Sequence, residues 1–383
     1  MNKKKVLYYV QPYYLDCCIE TIKELIDLVE LHLVIEVSPD SKNATIIEFN
    51  DIEKYKNIED PEKAIKASSF KKLSAYTRGC VAVKLLIFKY RKSFDPKNLI
   101  AAIQLATYIR KNNIDTIHFD GQSARLFYML PLISNKNIFL TIHDPIQHSG
   151  EQHWKTSWVR LAYLQFTSRI FFYSNFALKQ YINHNTKQNK KLDTIRLKPY
   201  TFISTYDKKV DREKKYILFF GRISYYKGVD ILVESIKIVL ESFPNEQFRI
   251  AGNFQNNMDL FNTIKGEKNI DIINKHIEIE ELCDLIAESK FIVCPYRDAT
   301  QSGVLMTSFA MLKPVIATNV GSFPEYIEHG VNGLLSKPNH IDFAAQIVDA
   351  LKNDRYKIFE NNLRNQTQAT VDNENSLKNA YEY

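Results

Sequence analysis

The chain alternates between short apolar runs and longer amphipathic segments, which is typical of α/β proteins. Predicted strands in the first half span residues 6–10, 31–37, 116–119, 138–142 and 170–173. Predicted strands in the second half span residues 216–220, 247–250, 270–273, 291–294 and 314–317. Helices are predicted over residues 229–242, 279–288, 303–312 and 341–352, with further helix starts at Asp95-Pro96 and Asn175. Such alternation predicts doubly wound parallel sheets.

Two of these alternations follow one another, and a polar, non-periodic segment at residues 201–215 separates them. We therefore expect two Rossmann-like domains that face each other across a cleft, one over residues 1–200 and one over residues 201–365. The polar tail, about 366–383, is predicted to be helical and to pack back on the first domain. In open α/β sheets, ligands lie outside the carboxyl ends of the strands, so the cleft is the expected binding site.

The composition fits a globular protein, because 45% of the 383 residues are hydrophobic and 25% are charged. No apolar run approaches the roughly 20 residues that a membrane helix needs. The N-terminal apolar run is cut short by Gln11, Pro12 and Asp16, so it predicts a strand rather than a signal peptide, and a cytoplasmic location is expected. The five cysteines form no C-x-x-C pair, which argues against a disulfide framework or a zinc site.

The net charge of +7 is unevenly distributed. Residues 63–94 contain nine Lys or Arg residues and no Asp or Glu, and the segment CVAVKLLIFKYRK within this stretch is predicted to be helical. Two interpretations stay open: a core helix with a solvated basic rim, or a patch that contacts anionic lipid headgroups on the inner face of the cytoplasmic membrane. A nucleic-acid partner is not expected, since no groove-reading or RNA-binding signature is present.

The segment FFGRISYYKG, residues 219–228, combines a buried strand, a glycine turn and a helix start. Arg222 and Lys227 lie five positions apart beside the predicted N-terminus of that helix, and Gly221 allows a close approach of the backbone. Fixed positive charge and backbone N–H groups are what a diphosphate requires. The alternative is a glycine turn with two basic surface residues.

This G-R-x-x-x-x-K-G segment resembles that of retaining glycosyltransferases of the GT-B fold, in the large family known as GT4. The resemblance covers residues 216–335 well and the first half weakly. It includes RIAGN with Gly252, the segment IEIEELCDLIAESKFIVCPY, and KPVIATNVGSFPEYIEHGVNGLL. It implies that Arg222 and Lys227 hold the diphosphate of a nucleotide-sugar donor and that the sugar is transferred with retention, without a cofactor.

The loop CPYRDATQSGVLMTSFAM departs from the family pattern. Many members carry two glutamates eight positions apart here, one contacting the donor sugar and one the ribose. Thr307 stands where the second belongs, and Ala299 or Thr300 where the first belongs. The A-T-Q-S-G run nevertheless resembles a bacterial subgroup of the family, which implies a variant donor pocket. The donor-binding candidates in this loop are Asp298, Thr300, Gln301, Ser302, Gly303 and Thr307.

Gln301 and Ser302 can bond sugar or phosphate oxygens, or they can simply cap the helix that Gly303 begins. Glu325 further along is interpreted as a helix cap, with the donor as its alternative partner.

In the first half, FLTIHDPIQHSGE places His143, Asp144 and His148 after a predicted strand. The family often carries a His after a comparable strand, so His143 is the candidate that faces the sugar or acceptor. Asp144 is expected to orient His143 or to contact an acceptor hydroxyl. His118 and Asp120 also end a strand, and they either line the acceptor side of the cleft or, for His118, are packed in the core. A metal site is not expected, because the His spacing is not helical and no Asp-x-Asp occurs in the chain.

The resemblance implies a hexosyl transfer to a glycan or lipid-linked acceptor, in a bacterial surface-polysaccharide pathway. The missing glutamates keep open a non-catalytic nucleotide-sugar-binding subunit. A sugar-nucleotide 2-epimerase on the same fold is a further alternative, although the loop is poor in acid and base groups. A dinucleotide oxidoreductase is disfavoured, since no G-x-G-x-x-G follows a predicted strand.

Overall fold

A computed structural model describes residues 3–39, 41, 48–146, 154–185, 190–206, 213–255, 257–369 and 376–381. Its strands are β1 Lys5–Val10, β2 Glu30–Val37, β3 Ile58–Glu59, β4 Ala82–Ile87, β5 Thr116–Asp120, β6 Asn137–Thr141, β7 Arg169–Phe172, β8 Lys191–Thr194, β9 Tyr216–Phe220, β10 Phe248–Ala251, β11 Ile270–Ile273, β12 Ser289–Cys294, β13 Val315–Thr318 and β14 Gly333–Ser336. The ten predicted strands are all present, each within two residues of its predicted ends.

The α-helices are α1 Pro12–Leu28, α2 Pro61–Ala64, α3 Ala67–Tyr76, α4 Leu99–Lys111, α5 Trp154–Phe166, α6 Asn175–His184, α7 Val229–Ser242, α8 Met258–Ile264, α9 Ile279–Glu288, α10 Gly303–Ala310, α11 Phe323–Tyr326, α12 His340–Leu351, α13 Tyr356–Ala369 and α14 Ser376–Tyr381. The 3₁₀ helices are Ile52–Lys54, Pro96–Asn98, Ala124–Ile133, Thr201–Thr205, Tyr225–Lys227 and Lys352–Asp354. The predicted helix starts at Asp95-Pro96 and Asn175 are confirmed, because Asp95 caps the turn before α4 and Ser174 caps α6.

The strands form two sheets, with the order β3-β4-β2-β1-β5-β6-β7-β8 in the first and β11-β10-β9-β12-β13-β14 in the second. Every pairing is parallel except that of β3 with β4. The expected architecture of two doubly wound α/β domains is therefore confirmed. Helices cover both sides of a parallel sheet, so side chains on both faces of its strands are buried. This explains why the sequences of β1 and β9 are largely apolar.

The two sides of the first sheet are buried against different helices. Val6 and Tyr8 of β1 belong to the same core as α1, whereas Leu7 and Tyr9 pack with α4, α5 and the 3₁₀ helix Ala124–Ile133. The core on the α1 side continues into the second domain through residues that follow β8, including Leu197 and Tyr200. The two domains are therefore packed against each other at the carboxyl ends of their strands.

The prediction of a helix within residues 80–92 is wrong, because β4 lies there and pairs in parallel with β2. Leu85 and Ile87 are buried on one side of the sheet and Leu86 on the other. A strand that is buried on both sides shows no alternation, so a short apolar run of this kind cannot be distinguished from a helix by periodicity.

The C-terminal helix α14 lies on the first domain, while α13 packs on the second. The Ala380 carbonyl accepts a bond from Arg169 Nη1 at 2.8 Å, and the Tyr381 ring packs beside Phe139 and Phe171. Within the described residues, no helix is both long enough and apolar enough to cross a membrane.

Candidate functional site

The turn after β9 brings the predicted diphosphate ligands together. Gly221 has a φ of +116°, which side chains rarely adopt, and a Cβ there would lie 3.2 Å from Lys227 Nζ. Lys227 is only 8% exposed, and its Nζ donates to the Tyr296 hydroxyl at 3.0 Å. The same Cβ would lie 3.4 Å from Val304 in the first turn of α10. A buried ammonium group, a bare glycine backbone and a helix N-terminus thus border one space.

Arg222 is exposed at the mouth of this turn, and its Nη2 lies 3.3 Å from the Tyr226 hydroxyl. Arg297 holds the turn from outside, donating to the Tyr225 carbonyl at 2.9 Å and pairing with Asp230 at 2.5 Å. Sequence reasoning missed Arg297 and Tyr296. Their position directly after β12, at the carboxyl end of a central strand, was the available signal.

Gly252 directly follows β10 and lies next to this turn. A Cβ at Gly252 would lie 2.0 Å from the Gly221 carbonyl oxygen, so any side chain would displace one of the two turns. The family resemblance at RIAGN therefore has a steric reason in this chain: the turns after β9 and β10 are in backbone contact.

The A-T-Q-S-G loop crosses from β12 to α10. Ser302 Oγ accepts the Leu305 N–H at 3.2 Å, so the capping alternative holds for Ser302, and Gly303 begins the helix. Thr300 is buried, and its carbonyl accepts a bond from Ser174 Oγ of the first domain at 3.0 Å. Thr307 is also buried, one turn into α10, and Asp298 is half-buried before the loop.

Gln301 does not cap the helix; it meets His143 of the first domain. Gln301 Nε2 lies 2.8 Å from His143 Nδ1, and His143 Nε2 is hydrogen-bonded to Asp120. An ionised carboxylate only accepts, so Nε2 carries a proton, and Nδ1 accepts from the Gln301 amide. Gln301 Oε1 is buried and has no hydrogen-bond partner among the described residues. That oxygen is an acceptor available to a ligand in the cleft.

Asp120 lies at the end of β5, fully buried, and accepts several hydrogen bonds. Its second oxygen receives the Tyr8 hydroxyl, the Cys18 thiol at 2.8 Å and the Tyr173 hydroxyl at 2.9 Å. Burial acts to raise the pKa of this carboxyl, but the neighbouring His143 and the hydrogen bond from Cys18 hold it below its usual range. Asp120 is thus a buried carboxylate that fixes the His143 ring.

Tyr14 completes the surroundings of His143. The two rings stack, with centroids 3.6 Å apart and planes at 8°. Tyr14 was missed by sequence reasoning, although it follows β1 at the carboxyl edge of the sheet. Asp144, the expected orienting group, lies next along the chain, and its carbonyl accepts from Arg160 Nη2 at 2.8 Å. His148 lies outside the described residues.

His118 lies beneath the cleft rather than on its surface. Its ring is fully buried, with Nε2 2.8 Å from Thr141 Oγ1 and Nδ1 bonded to the Tyr381 hydroxyl of α14. Burial lowers the pKa of His118 to about 4. This placement agrees with the alternative in which His118 is packed in the core rather than lining the cleft.

Glu325 acts as a cap, but for a helix in the other domain. Its carboxylate accepts the N–H groups of Asn175 at 2.8 Å and Phe176 at 2.6 Å, at the start of α6. The adjacent Tyr326 hydroxyl donates to the Tyr173 carbonyl at 2.7 Å. These bonds, 149–153 residues apart in sequence, join the domains beside the A-T-Q-S-G loop.

The arrangement separates two chemical tasks. The second domain offers cations and a helix N-terminus suited to a diphosphate, and the first offers one imidazole that is held by a carboxylate. Among the described residues, no group of three His, Cys, Asp or Glu side chains is placed to hold a metal ion.

Residues 214–353 match the model of the family described as Glycosyl transferases group 1. A Klebsiella pneumoniae relative, an uncharacterized 41.2 kDa protein in the cps region, is 26% identical over an alignment of 267 residues that covers 63% of this chain and 70% of the relative. The uncharacterized glycosyltransferase MJ1178 of Methanocaldococcus jannaschii is 28% identical over 143 residues, which make up 37% of this chain. This second match spans only 39% of the archaeal protein.

Solved structures extend the likeness to the whole chain. A glycosyltransferase from Rickettsia africae aligns over 95% of this chain and 93% of its own, with 18% identity and a TM-score of 0.62. Anabaena Alr3699/HepE in complex with UDP aligns over 96% of both chains, with 16% identity and a TM-score of 0.62. At these identities the likeness shows the fold, which is GT-B. Residues 214–353 therefore resemble the Glycosyl transferases group 1 family, and the chain as a whole has the two-domain GT-B fold.

Proposed function

We propose that this protein transfers a hexosyl group from a nucleoside-diphosphate sugar to a glycan or lipid-linked acceptor, with retention at the anomeric carbon. The observation that carries the proposal is the convergence of Lys227 Nζ, the Gly221 backbone and the first turn of α10 on one space, while Gln301, just before α10, contacts His143 of the first domain. Solved neighbours include Anabaena Alr3699/HepE in complex with UDP-glucose, which supports a nucleoside-diphosphate donor.

The diphosphate occupies the space bordered by Lys227 and Gly221, with Arg222 at its open side. As the bond between the anomeric carbon and the phosphate oxygen breaks, negative charge grows on the leaving diphosphate. The two cations and the positive end of α10 stabilise that negative charge as it forms. This stabilisation requires neither a metal nor another cofactor.

The sugar lies beside the pair that Gln301 of the A-T-Q-S-G loop forms with His143. Gln301 Oε1 accepts a bond from a sugar hydroxyl, which the usual glutamate of the family does with a carboxylate oxygen. In retention by same-face attack, the acceptor hydroxyl bonds to the anomeric carbon, and its proton passes to the departing diphosphate. His143 Nδ1 accepts from the Gln301 amide and so directs Gln301 Oε1 toward the sugar, while Asp120 keeps the proton on Nε2.

The GT4 resemblance and the Klebsiella relative from a cps region support a role in bacterial surface-polysaccharide synthesis. In such a pathway the acceptor is a growing lipid-linked glycan, and the protein works on the cytoplasmic side of the membrane. Asp144 then lies on the acceptor side of the cleft, while Asp298, Thr300 and Thr307 lie on the donor side.

The proposal is tested by incubating the protein with UDP-, GDP- and dTDP-sugars and measuring release of the free nucleoside diphosphate. We expect one donor to be turned over, slowly with water and faster with a glycan acceptor, and NMR of the product to show retained anomeric configuration. Tight binding without turnover of any donor would instead favour a binding subunit. A product with an inverted C2 centre would favour an epimerase.

A further inference from the structure

Three neighbouring elements cover the side of the first sheet opposite α1: α4, the 3₁₀ helix Ala124–Ile133 and α5. We call them the outer layer. Their inner residues, such as Leu105, Met129 and Tyr163, are fully buried against the sheet. Arg110 Nη2 of α4 donates to the Leu132 carbonyl at 3.0 Å, so the elements are joined side to side.

The solvent side of the outer layer is unusually apolar. Each element exposes two large hydrophobic side chains, which are Ile100 and Ile103 of α4, Tyr128 and Leu132 of the 3₁₀ helix, and Trp158 and Leu161 of α5. Trp158 is 70% exposed and Leu161 is 60% exposed, three positions apart and therefore on one face of α5. Tyr90 and Phe94 are also exposed, and Phe94 packs edge-on against Phe127 of the layer.

The outer layer also contains no Asp or Glu in any of its three elements, although acidic residues number 44 in the chain. Its edge is basic. Arg110 and Lys111 end α4, and the turn before the layer carries Lys89, Arg91 and Lys92. That turn is fixed to the layer, since the Arg91 carbonyl accepts from Arg125 Nη2 at 2.9 Å.

We propose that the outer layer rests on an anionic lipid surface, with Trp158 and Leu161 entering the headgroup region and the basic edge contacting lipid phosphates. Exposed tryptophan, tyrosine and aliphatic side chains beside Lys and Arg are the composition of surfaces that lie in a membrane interface. A second copy of the chain is a poorer occupant. In a two-fold dimer the acid-free, basic-edged face would meet itself, and like charges would oppose each other.

The proposed lipid-binding surface includes only part of the basic segment 63–94. Lys63 pairs with Glu59, Lys66 with Glu48, and Lys84 with Asp60 at 2.5 Å, so these three cations in the earlier part of that segment have acidic partners. Only its last part, residues 89–92, borders the outer layer. The proposal does not depend on the identity of the reaction.

The test is sedimentation of the full chain with vesicles of phosphatidylcholine alone or mixed with phosphatidylglycerol. We expect the wild type to pellet with the mixed vesicles, and the double variant Trp158→Glu, Leu161→Glu to lose about tenfold or more of that binding. The matched control is Ile341→Glu, Ile358→Glu, since these side chains are 63% and 57% exposed on the second domain. The control should bind as the wild type does, and thermal melts should show all three proteins folded.

Several outcomes would overturn the proposal. One is a wild type that stays in the supernatant with both kinds of vesicle, and another is equal loss of binding in the control. A third is a wild-type dimer in solution that Trp158→Glu, Leu161→Glu converts to a monomer without any vesicle binding by the wild type. That result would make the outer layer an interface between copies of the chain.

Discussion

The two sides of the cleft are built in different ways. On the second-domain side, Arg222 is exposed, and Lys227 Nζ donates to a neutral group, the Tyr296 hydroxyl, at 3.0 Å. On the first-domain side, Asp120 is fully buried and receives bonds from four side chains, one of which is His143. The first arrangement suits a charged ligand that arrives and leaves, whereas the second fixes the direction of one imidazole ring.

The largest effect is expected on the second-domain side. Lys227→Ala removes the buried cation beside Gly221 and should reduce turnover of the donor about 100- to 1,000-fold, as loss of one pre-organised charge-stabilising group commonly does. Lys237→Ala is the control, because Lys237 is an exposed residue of α7 paired with Glu234. The comparison would break down if both variants released the nucleoside diphosphate at wild-type rate.

The next largest effect is expected on the pH dependence of stability, through His118, which is buried beneath the first-domain side of the cleft. The pKa of folded His118 is lowered to about 4, below the value of about 6.5 expected in the unfolded chain. Between these values the unfolded state binds a proton that the folded state does not, so stability should fall as pH drops from about 6.5 to 4, by about 3 kcal/mol in total.

Urea unfolding at several pH values in this window measures the slope. His118→Gln should flatten it, whereas His184→Gln, at an exposed position of α6, should not. An unchanged slope in His118→Gln would mean that His118 is not the buried neutral group described above.

The variant Asp120→Asn tests whether the first-domain side of the cleft positions reacting groups rather than binds the donor. The amide can present an N–H₂ group where a carboxylate oxygen accepts hydrogen bonds, so the His143 ring loses its fixed tautomer. We expect kcat to fall about 100-fold with little change in KM for the donor, together with an altered pH–rate profile. A purely structural role would lower the melting temperature but leave the kcat of the folded fraction and its pH profile as in the wild type.

The smallest effect is expected where the two sides join. Glu325→Gln leaves the shape intact but removes the charge at the N-terminus of α6, which should cost about 1 kcal/mol of unfolding free energy. Glu328→Gln, on the exposed surface of the same domain, should cost nothing measurable. Equal melting temperatures for Glu325→Gln and wild type would show that this contact contributes no stability.

The sequence predicts the second domain well for a physical reason. Gly221 and Gly252 stand where the local backbone disfavours any side chain, so these positions can be recognised from the sequence. The strands that precede them are apolar runs. The segment at 80–92 was misassigned because β4 is buried on both sides and shows no period. The family pattern also predicted the position of the A-T-Q-S-G loop before α10.

Contacts between distant segments were beyond sequence reasoning. His143 and Asp120 both end predicted strands, but only the order β5-β6 makes them neighbours. The bond from Gln301 to His143 spans 158 residues, and the bond that the Asn175 N–H donates to Glu325 spans 150. No local pattern reports such pairings, so Gln301 and Glu325 could be singled out only as candidates for capping or for donor contact.

The central claim is that one side of the cleft binds the diphosphate and the other positions reacting groups. It is tested most directly by the dissociation constant of UDP, or of whichever nucleoside diphosphate the donor screen selects, for wild type, Lys227→Ala and His143→Ala. The account predicts that Lys227→Ala weakens binding at least about tenfold, whereas His143→Ala binds as the wild type does and loses turnover. Unchanged affinity in Lys227→Ala together with weakened affinity in His143→Ala would contradict it.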